Sequence, residues 1–155
     1  MKTLIFCLLF SAIFTVAAFA QNAGLNIIPQ PKSVERGTGE FKLNYKTKIV
    51  AVDDTGRKLA GILNDLLMKN YGFKLEVSSK EQKNNWILLA PQGPPFDKIA
   101  AEAYGLTVAP KGILIIGTET GQFYALQTLM QLLPVNFKGE AKLAAVHITD
   151  EPRFK

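Results

Sequence analysis

The spacing of apolar residues between residues 53 and 72 predicts a first helix. Apolar side chains recur there every three or four positions, which places them on one face of a helix. Asp53, Asp54 and Thr55 are favourable N-cap residues, and Gly72 stands where a glycine commonly ends a helix. The apolar face consists of Leu59, Ile62, Leu63, Leu66, Leu67 and Tyr71.

A second helix is predicted between Thr118 and Pro134. Thr118 or Thr120 can supply the N-cap, and Pro134 ends the helix because it lacks a backbone N–H. The spacing of the apolar residues predicts one stripe that packs into a core. This stripe consists of Phe123, Leu126, Met130 and Leu133.

The other apolar residues fall in short runs typical of β-strands. FKLEVS alternates apolar and charged residues, WILLA is continuously apolar, and the segment from Tyr104 to Gly117 reads as a hairpin that turns at Pro110. Since neither helix can bury its apolar stripe alone, we expect an α+β fold, a mixed or antiparallel β-sheet with two helices packed on one face. The predicted strands lie around 41–43, 49–52, 73–78, 86–90, 104–109, 113–116 and 143–148.

The two ends of the chain are expected to lie outside this fold. Residues 1–20, MKTLIFCLLFSAIFTVAAFA, join a basic start to an apolar run and a small-x-small end, which is the pattern of a secretory signal peptide. An uncleaved membrane anchor is the alternative. Residues 21–40 contain glycine, proline and polar residues and are predicted to form an extended lead-in. The protein is therefore expected to be exported, to a periplasm or the exterior, with no stable membrane span after cleavage.

Charge and cysteine content exclude several classes of function. The formal net charge is +5, and the lysines are spread without a block of like charges, so we expect no nucleic-acid partner. The single cysteine, Cys7, lies inside the predicted signal peptide. The exported chain would therefore contain no disulfide and no thiolate chemistry.

Candidate catalytic residues are few. The only histidine, His147, lies within a predicted strand and far in sequence from Ser78 and Ser79, so a structural or solvent-facing role is favoured. One histidine cannot form a zinc site without further ligands, and no glycine-rich phosphate loop occurs. We therefore predict no metal and no cofactor in this chain, and no catalytic residue unless paired acids supply one.

Two adjacent acidic pairs are the remaining candidates, because glycosidases use paired carboxylates. Asp53 and Asp54 are explained by helix capping and by the helix dipole. Asp150 and Glu151 lie on or just past a strand, where neighbouring side chains point apart. Both pairs are interpreted as solvated acids rather than as a catalytic pair.

Three segments together resemble the N-terminal domain of bacterial β-N-acetylhexosaminidases of glycoside hydrolase family 20. IIPQPKSVERGTGEFKL is similar to the opening of that domain, and YGLTVAPKGILIIGTETGQFYALQTLMQLLP is similar to its central block. ITDEPRFK resembles the junction at which the catalytic barrel of the family begins. The resemblance covers essentially the whole chain after the signal peptide.

The resemblance implies a domain organisation and a role. Residues 41–149 would be the non-catalytic N-terminal domain, and residues 150–155 would begin the junction to a catalytic barrel absent from this chain. Asp150, Pro152, Arg153 and Phe154 would contact that barrel. Arg153 matches the junction arginine rather than the sugar-binding one, and the catalytic Asp-Glu pair of the family has no counterpart here.

The implied parent protein hydrolyses terminal β-linked N-acetylglucosamine or N-acetylgalactosamine by substrate-assisted catalysis without a cofactor. The chain alone is expected to be inactive, and to meet a glycan substrate only through the barrel. Two alternatives stay open. The chain is a free-standing secreted carbohydrate-binding or interaction module, or it is the front domain of another glycosidase family.

Overall fold

The computed structural model describes residues 25–91 and 102–151, which form one sheet and two helices. Of the predicted segments, the signal peptide and most of the junction lie outside the described residues. The strands are β1 (Ser33–Asn44), β2 (Lys48–Ala51), β3 (Glu76–Ser78), β4 (Trp86–Pro91), β5 (Tyr104–Ala109), β6 (Gly112–Gly117) and β7 (Glu140–Asp150), and the helices are α1 (Asp54–Tyr71) and α2 (Glu119–Leu132).

The sheet has seven strands in the order β1-β7-β5-β6-β4-β2-β3. Strands β2, β3, β4 and β6 run parallel to one another, whereas β5 pairs antiparallel with both β6 and β7. Strand β1 completes the sheet by pairing antiparallel with β7. The sheet is therefore mixed, and the predicted α+β fold class is confirmed.

Both helices pack on the same face of this sheet. Alternate residues of the central strands, such as Ile87 and Leu89 on β4, are buried against a single apolar cluster. That cluster includes Leu63 of α1 and Leu126 of α2. In the described residues neither helix is long and apolar enough to cross a membrane.

Local sequence accounts for the ends of both helices. The Asp53 side chain accepts a hydrogen bond from the Gly56 N–H at 2.6 Å, and Gly72 ends α1 in the left-handed conformation with φ 77°. Thr118, rather than Thr120, caps α2 by accepting from the Gly121 N–H at 3.2 Å. The predicted capping roles of Asp53 and Gly72 are confirmed.

The predicted apolar stripe of α2 was wrong at Phe123, whose surface is 38% exposed. The buried face instead runs through Ala125, Leu126 and Leu129. It also includes Gln122, whose amide donates to the carbonyls of Ala90 and Gly117, both at 2.9 Å. Because the helix face is fixed by this polar contact, Phe123 turns towards solvent.

Two strands differ from their predicted lengths. β1 begins at Ser33, inside the segment predicted as a lead-in, because β7 is long enough to pair with it from Thr149 back to Glu140. FKLEVS forms only the three-residue edge strand β3. Its Leu75 is held outside the ladder, since the Asn64 side chain accepts from the Leu75 N–H at 2.7 Å and donates to its carbonyl at 2.9 Å.

The Asp53 cap should contribute measurably to stability. We expect Asp53→Ala to lower the free energy of unfolding by about 1 kcal/mol, because one N–H of the first turn loses its acceptor. Asp54→Ala is the matched control, since Asp54 only pairs with Arg57 at the surface. Urea denaturation followed by circular dichroism measures both, and equal losses in the two variants would contradict the capping role.

Candidate interdomain surface

A cavity of about 640 Å³ lies where β7 ends and the chain leaves the sheet. The start of the described chain, the exposed side of α2 and the end of β7 all contribute to it. We call it the exit surface. Its lining residues are Ile28, Pro29, Gln30, Glu102, Tyr104, Tyr124, Gln127, Thr128, Gln131, Asp150 and Glu151.

A two-point hydrogen bond ties the first described segment to α2 at this surface. The Ile28 N–H donates to Gln131 Oε1 at 2.9 Å, and Gln131 Nε2 donates to the Ile28 carbonyl at 3.1 Å. The Gln131 amide therefore satisfies both backbone groups of a residue that belongs to no strand. This contact leaves the Ile28 side chain 80% exposed at the edge of the cavity.

The same segment is also tied to the end of β7. The Lys32 N–H donates to Asp150 Oδ1 at 3.1 Å, and the Lys32 ammonium pairs with the Glu151 carboxylate. Both contacts are solvent-exposed, so each adds little stability by itself. Together with Gln131 they hold three separate parts of the chain in a fixed arrangement around the exit surface.

Tyr104 forms the buried wall of the exit surface. Its hydroxyl and Thr128 Oγ1 share a hydrogen bond of 2.6 Å inside the domain. Burial raises the pKa of the Tyr104 hydroxyl above 10.0, the Thr128 hydrogen bond opposes this shift, and the negative charge of Asp150 adds to it. The Tyr104 hydroxyl is therefore neutral at physiological pH, and its hydrogen bond to Thr128 ties β5 to α2.

Apolar groups on the exit surface remain uncovered in the described part of the chain. Besides Ile28, Tyr124 is 42% exposed, and its ring contacts that of Phe123 with centroids 5.9 Å apart. The carboxylates of Asp150 and Glu151 are held by Lys32 rather than aimed at each other across a gap. A surface with an exposed apolar rim, whose carboxylates are already paired with Lys32, is more typical of a protein–protein interface than of a catalytic site.

Only one of the four predicted interface residues can be placed. Asp150 lines the exit surface, and its contact with a following barrel stays a prediction, while Pro152, Arg153 and Phe154 lie outside the described residues. Sequence reasoning missed Gln131 and Ile28. The available signal was a glutamine within the apolar run of α2; its partner Ile28 lies 103 residues away and is not indicated by the sequence.

The other candidate catalytic residues are kept apart. His147 is half-buried on the sheet face opposite the helices, where Nδ1 contacts Thr107 Oγ1 at 2.8 Å and Nε2 contacts Thr149 Oγ1 at 3.4 Å. Ser78 ends β3 at one edge of the sheet, five strands away from β7 in the strand order. Within residues 25–91 and 102–151, no group of acidic, histidine or cysteine side chains is arranged to bind a metal ion.

Comparison with known proteins gives consistent matches. Residues 24–151 match the family model described as glycosyl hydrolase family 20, domain 2. A beta-hexosaminidase of Porphyromonas gingivalis is 30% identical over an alignment of 139 residues, and the match covers 84% of this chain and 18% of that protein.

Solved structures agree with this match. The beta-N-acetylhexosaminidase of Streptomyces coelicolor superposes with a TM-score of 0.72 at 29% identity. A mutant Streptomyces plicatus beta-hexosaminidase in complex with its product GlcNAc superposes with a TM-score of 0.71 at 31% identity. Each match covers 84% of this chain and 27% of the other, so this chain spans about a quarter of those structures.

The buried Tyr104 hydroxyl predicts a loss of stability at alkaline pH. Because the pKa of Tyr104 is raised on folding, the contribution of this group to stability is fully present below pH 10 and is lost as the pH rises through the higher folded value. We expect Tyr104→Phe to lower the unfolding free energy by about 1 kcal/mol at pH 7, since Thr128 loses its partner, and to flatten the decline above pH 10.

Urea titrations between pH 8 and pH 11 measure this effect, with Tyr124→Phe as the control at an exposed tyrosine. Tyr71, whose pKa burial also raises, should leave part of the decline in place. An unchanged alkaline slope in Tyr104→Phe would contradict the assignment.

Proposed function

Because this chain belongs to the family described as glycosyl hydrolase family 20, domain 2, we propose that it is the supporting N-terminal domain of an exported β-N-acetylhexosaminidase. The observation that carries this proposal is the exit surface. The chain leaves β7 beside an uncovered apolar rim that three segments of the domain hold in place. A catalytic domain that continues from Glu151 would meet this rim first.

The catalytic chemistry would lie wholly in that following domain. The described carboxylates at Asp53, Asp54, Asp150 and Glu151 are a helix cap or members of surface hydrogen bonds and ion pairs. The proposed reaction is the hydrolysis of terminal β-linked N-acetylglucosamine or N-acetylgalactosamine. In such a reaction the acetamido oxygen of the substrate attacks its own anomeric carbon, which removes the need for a second catalytic carboxylate as nucleophile.

The role of the present domain would be mechanical support. Ile28 and Tyr124 offer apolar area to the barrel, while Gln131 and Lys32 keep that area in one position. The basic residue at the start of residues 1–20, followed by an apolar run and a small-x-small end, supports export and removal of those residues.

The first test separates support from catalysis. We expect the purified chain to release no chromophore from a nitrophenyl N-acetylglucosaminide, because the acids of residues 25–91 and 102–151 that were candidates for catalysis act as a helix cap or in surface hydrogen bonds and ion pairs. The complete gene product, read beyond Lys155, should hydrolyse the same substrate. Turnover by the isolated chain that persists after repeated purification would refute the supporting role.

The second test probes the exit surface in the complete gene product. We expect Ile28→Asp to lower its unfolding free energy by about 2 kcal/mol or more, because an apolar side chain buried by the barrel is replaced by a charge. Val135→Asp is the matched control, since Val135 is 87% exposed and lies away from the exit surface. Thermal unfolding measures both variants, and equal effects would argue against docking at this surface.

A further inference from the structure

The sheet face opposite the helices is apolar at its centre. Trp86, Leu88 and Ala90 of β4 and Leu114 and Ile116 of β6 alternate with the buried core residues of their strands, and each is half-buried. In residues 25–91 and 102–151 both helices pack on the other face, as their shared apolar cluster shows. The side chains of this second face therefore reach solvent.

Trp86 lies flat on this face. A Cβ added at Gly112 would lie 2.3, 2.4 and 2.6 Å from Cδ2, Cε2 and Cε3 of the indole. These three short distances require the six-membered ring to lie face-down on the Gly112 backbone, in the neighbouring strand β6. One face of the indole is thus covered by a glycine, and its other face points away from the sheet.

A hydrogen-bond donor and an acceptor lie beside the indole, at the same level of the sheet and on the side away from Gly112. Lys48 is the register partner of Trp86 on β2, and Glu76 is the register partner of Lys48 on β3. Lys48 Nζ and Glu76 Oε1 are 2.9 Å apart, with the side chains 36% and 65% exposed. Strand spacing puts this pair roughly 5 to 10 Å from the indole, side by side with it.

The row of register partners Gly112, Trp86, Lys48 and Glu76 lies far from the exit surface. Trp86 and Gly112 begin their strands, whereas Tyr104, beside the exit, pairs with Gly117 at the other end of β6. Five residues of strand separate the two rows, about 17 Å. The exit surface also lies on the helix side, because α2 lines it. A domain that docks where the chain leaves the sheet would therefore leave Trp86 uncovered.

We propose that Trp86, with Lys48 and Glu76, forms a binding platform for a neutral oligosaccharide. A pyranose ring has a flat face of C–H groups that stacks on an aromatic face, and a rim of hydroxyl groups that both donate and accept hydrogen bonds. The indole offers the aromatic face for stacking. The Lys48 ammonium donates hydrogen bonds to the hydroxyl groups, and the Glu76 carboxylate accepts them. Since Lys48 and Glu76 cancel in charge, the row lacks the cationic groove that a nucleic acid requires.

The platform would give the domain a second role beside support. One sugar over Trp86 would bring the hydroxyl groups of its neighbour over the Lys48–Glu76 pair, so chains of several sugars should bind better than a single sugar. Such a site would hold a glycan chain on the enzyme without taking part in the bond cleavage. The choice of an N-acetylglucosamine oligomer as the probe rests on the proposed function.

Calorimetric titration of the full 155-residue chain with the β-1,4-linked N-acetylglucosamine tetramer tests the platform. We expect saturable binding, together with a change in the fluorescence of Trp86, which is the only tryptophan of the chain. Trp86→Ala should weaken binding roughly tenfold or more, the size expected for one lost stacking contact. Gly112→Ala should weaken it several-fold by lifting the indole from its position.

Two control variants are matched to these changes. Tyr45→Ala removes another exposed aromatic, 68% exposed on the β1–β2 turn, and Gly61→Ala adds a Cβ that meets nothing within 4 Å. Both should bind the tetramer as the unaltered chain does, and circular dichroism should show that all four variants are folded.

Absence of saturable binding at millimolar tetramer would overturn the platform, and so would unchanged affinity in both Trp86→Ala and Gly112→Ala. If Trp86→Ala fails to fold, the platform is judged by the tetramer affinity of Gly112→Ala and by the change in Trp86 fluorescence on binding. Failure of the platform leaves the proposed function intact, because the latter is judged by hydrolysis of a small chromogenic substrate. A complete gene product that lacks this hydrolysis would overturn the proposed function while tetramer binding to the chain still stands.

Discussion

The antiparallel pairing of β7 with β1 on one side and with β5 on the other is the constraint on which the arrangement of this domain depends. Residues of β7 pair with β1 from Thr149 to Glu140 and with β5 from Asp150 to Val146. Strand β7 therefore lies inside the sheet, and its end at Asp150 lies beside the segment where the described structure begins. Without that pairing, Lys32 could not reach Asp150, and Gln131 would have no strand-anchored segment to hold.

The spacing of apolar residues along the chain predicted those parts of the fold that depend only on the burial of apolar side chains. It located α1 with its cap at Asp53 and its end at Gly72, because one repeated spacing and two capping residues agree there. It failed where a buried polar side chain decides the geometry. Gln122 sets the face of α2 through two carbonyls, and Asn64 takes the backbone of Leu75 out of the sheet. A hydrophobicity pattern assigns glutamine and asparagine to the surface. Here both side chains are buried, and each forms hydrogen bonds with backbone groups that would otherwise be buried without a partner.

The candidate surface was predictable only in outline for the same reason. Asp150 could be expected near a domain boundary from the motif that surrounds it, but the partners that fix its position are distant in sequence. Lys32 is 118 residues away, and Gln131 holds Ile28 across 103 residues. Contacts of such range follow from strand order, and the order of seven strands in a mixed sheet is not determined by the pattern within any single strand.

The side chains on the two faces of the sheet differ in burial, and this difference separates the residues that stabilise the fold from those proposed to bind a ligand. On the helix face, residues such as Ile87 and Leu89 are almost fully buried, so they serve stability alone. On the opposite face Trp86 keeps one side of its ring free because Gly112 offers no side chain to tilt it. A larger residue at position 112 would pack the indole on edge and remove the flat surface. The absent side chain at Gly112 thus leaves the indole flat for the proposed stacking of a sugar face, and this feature is independent of the exit surface at the other end of the strands.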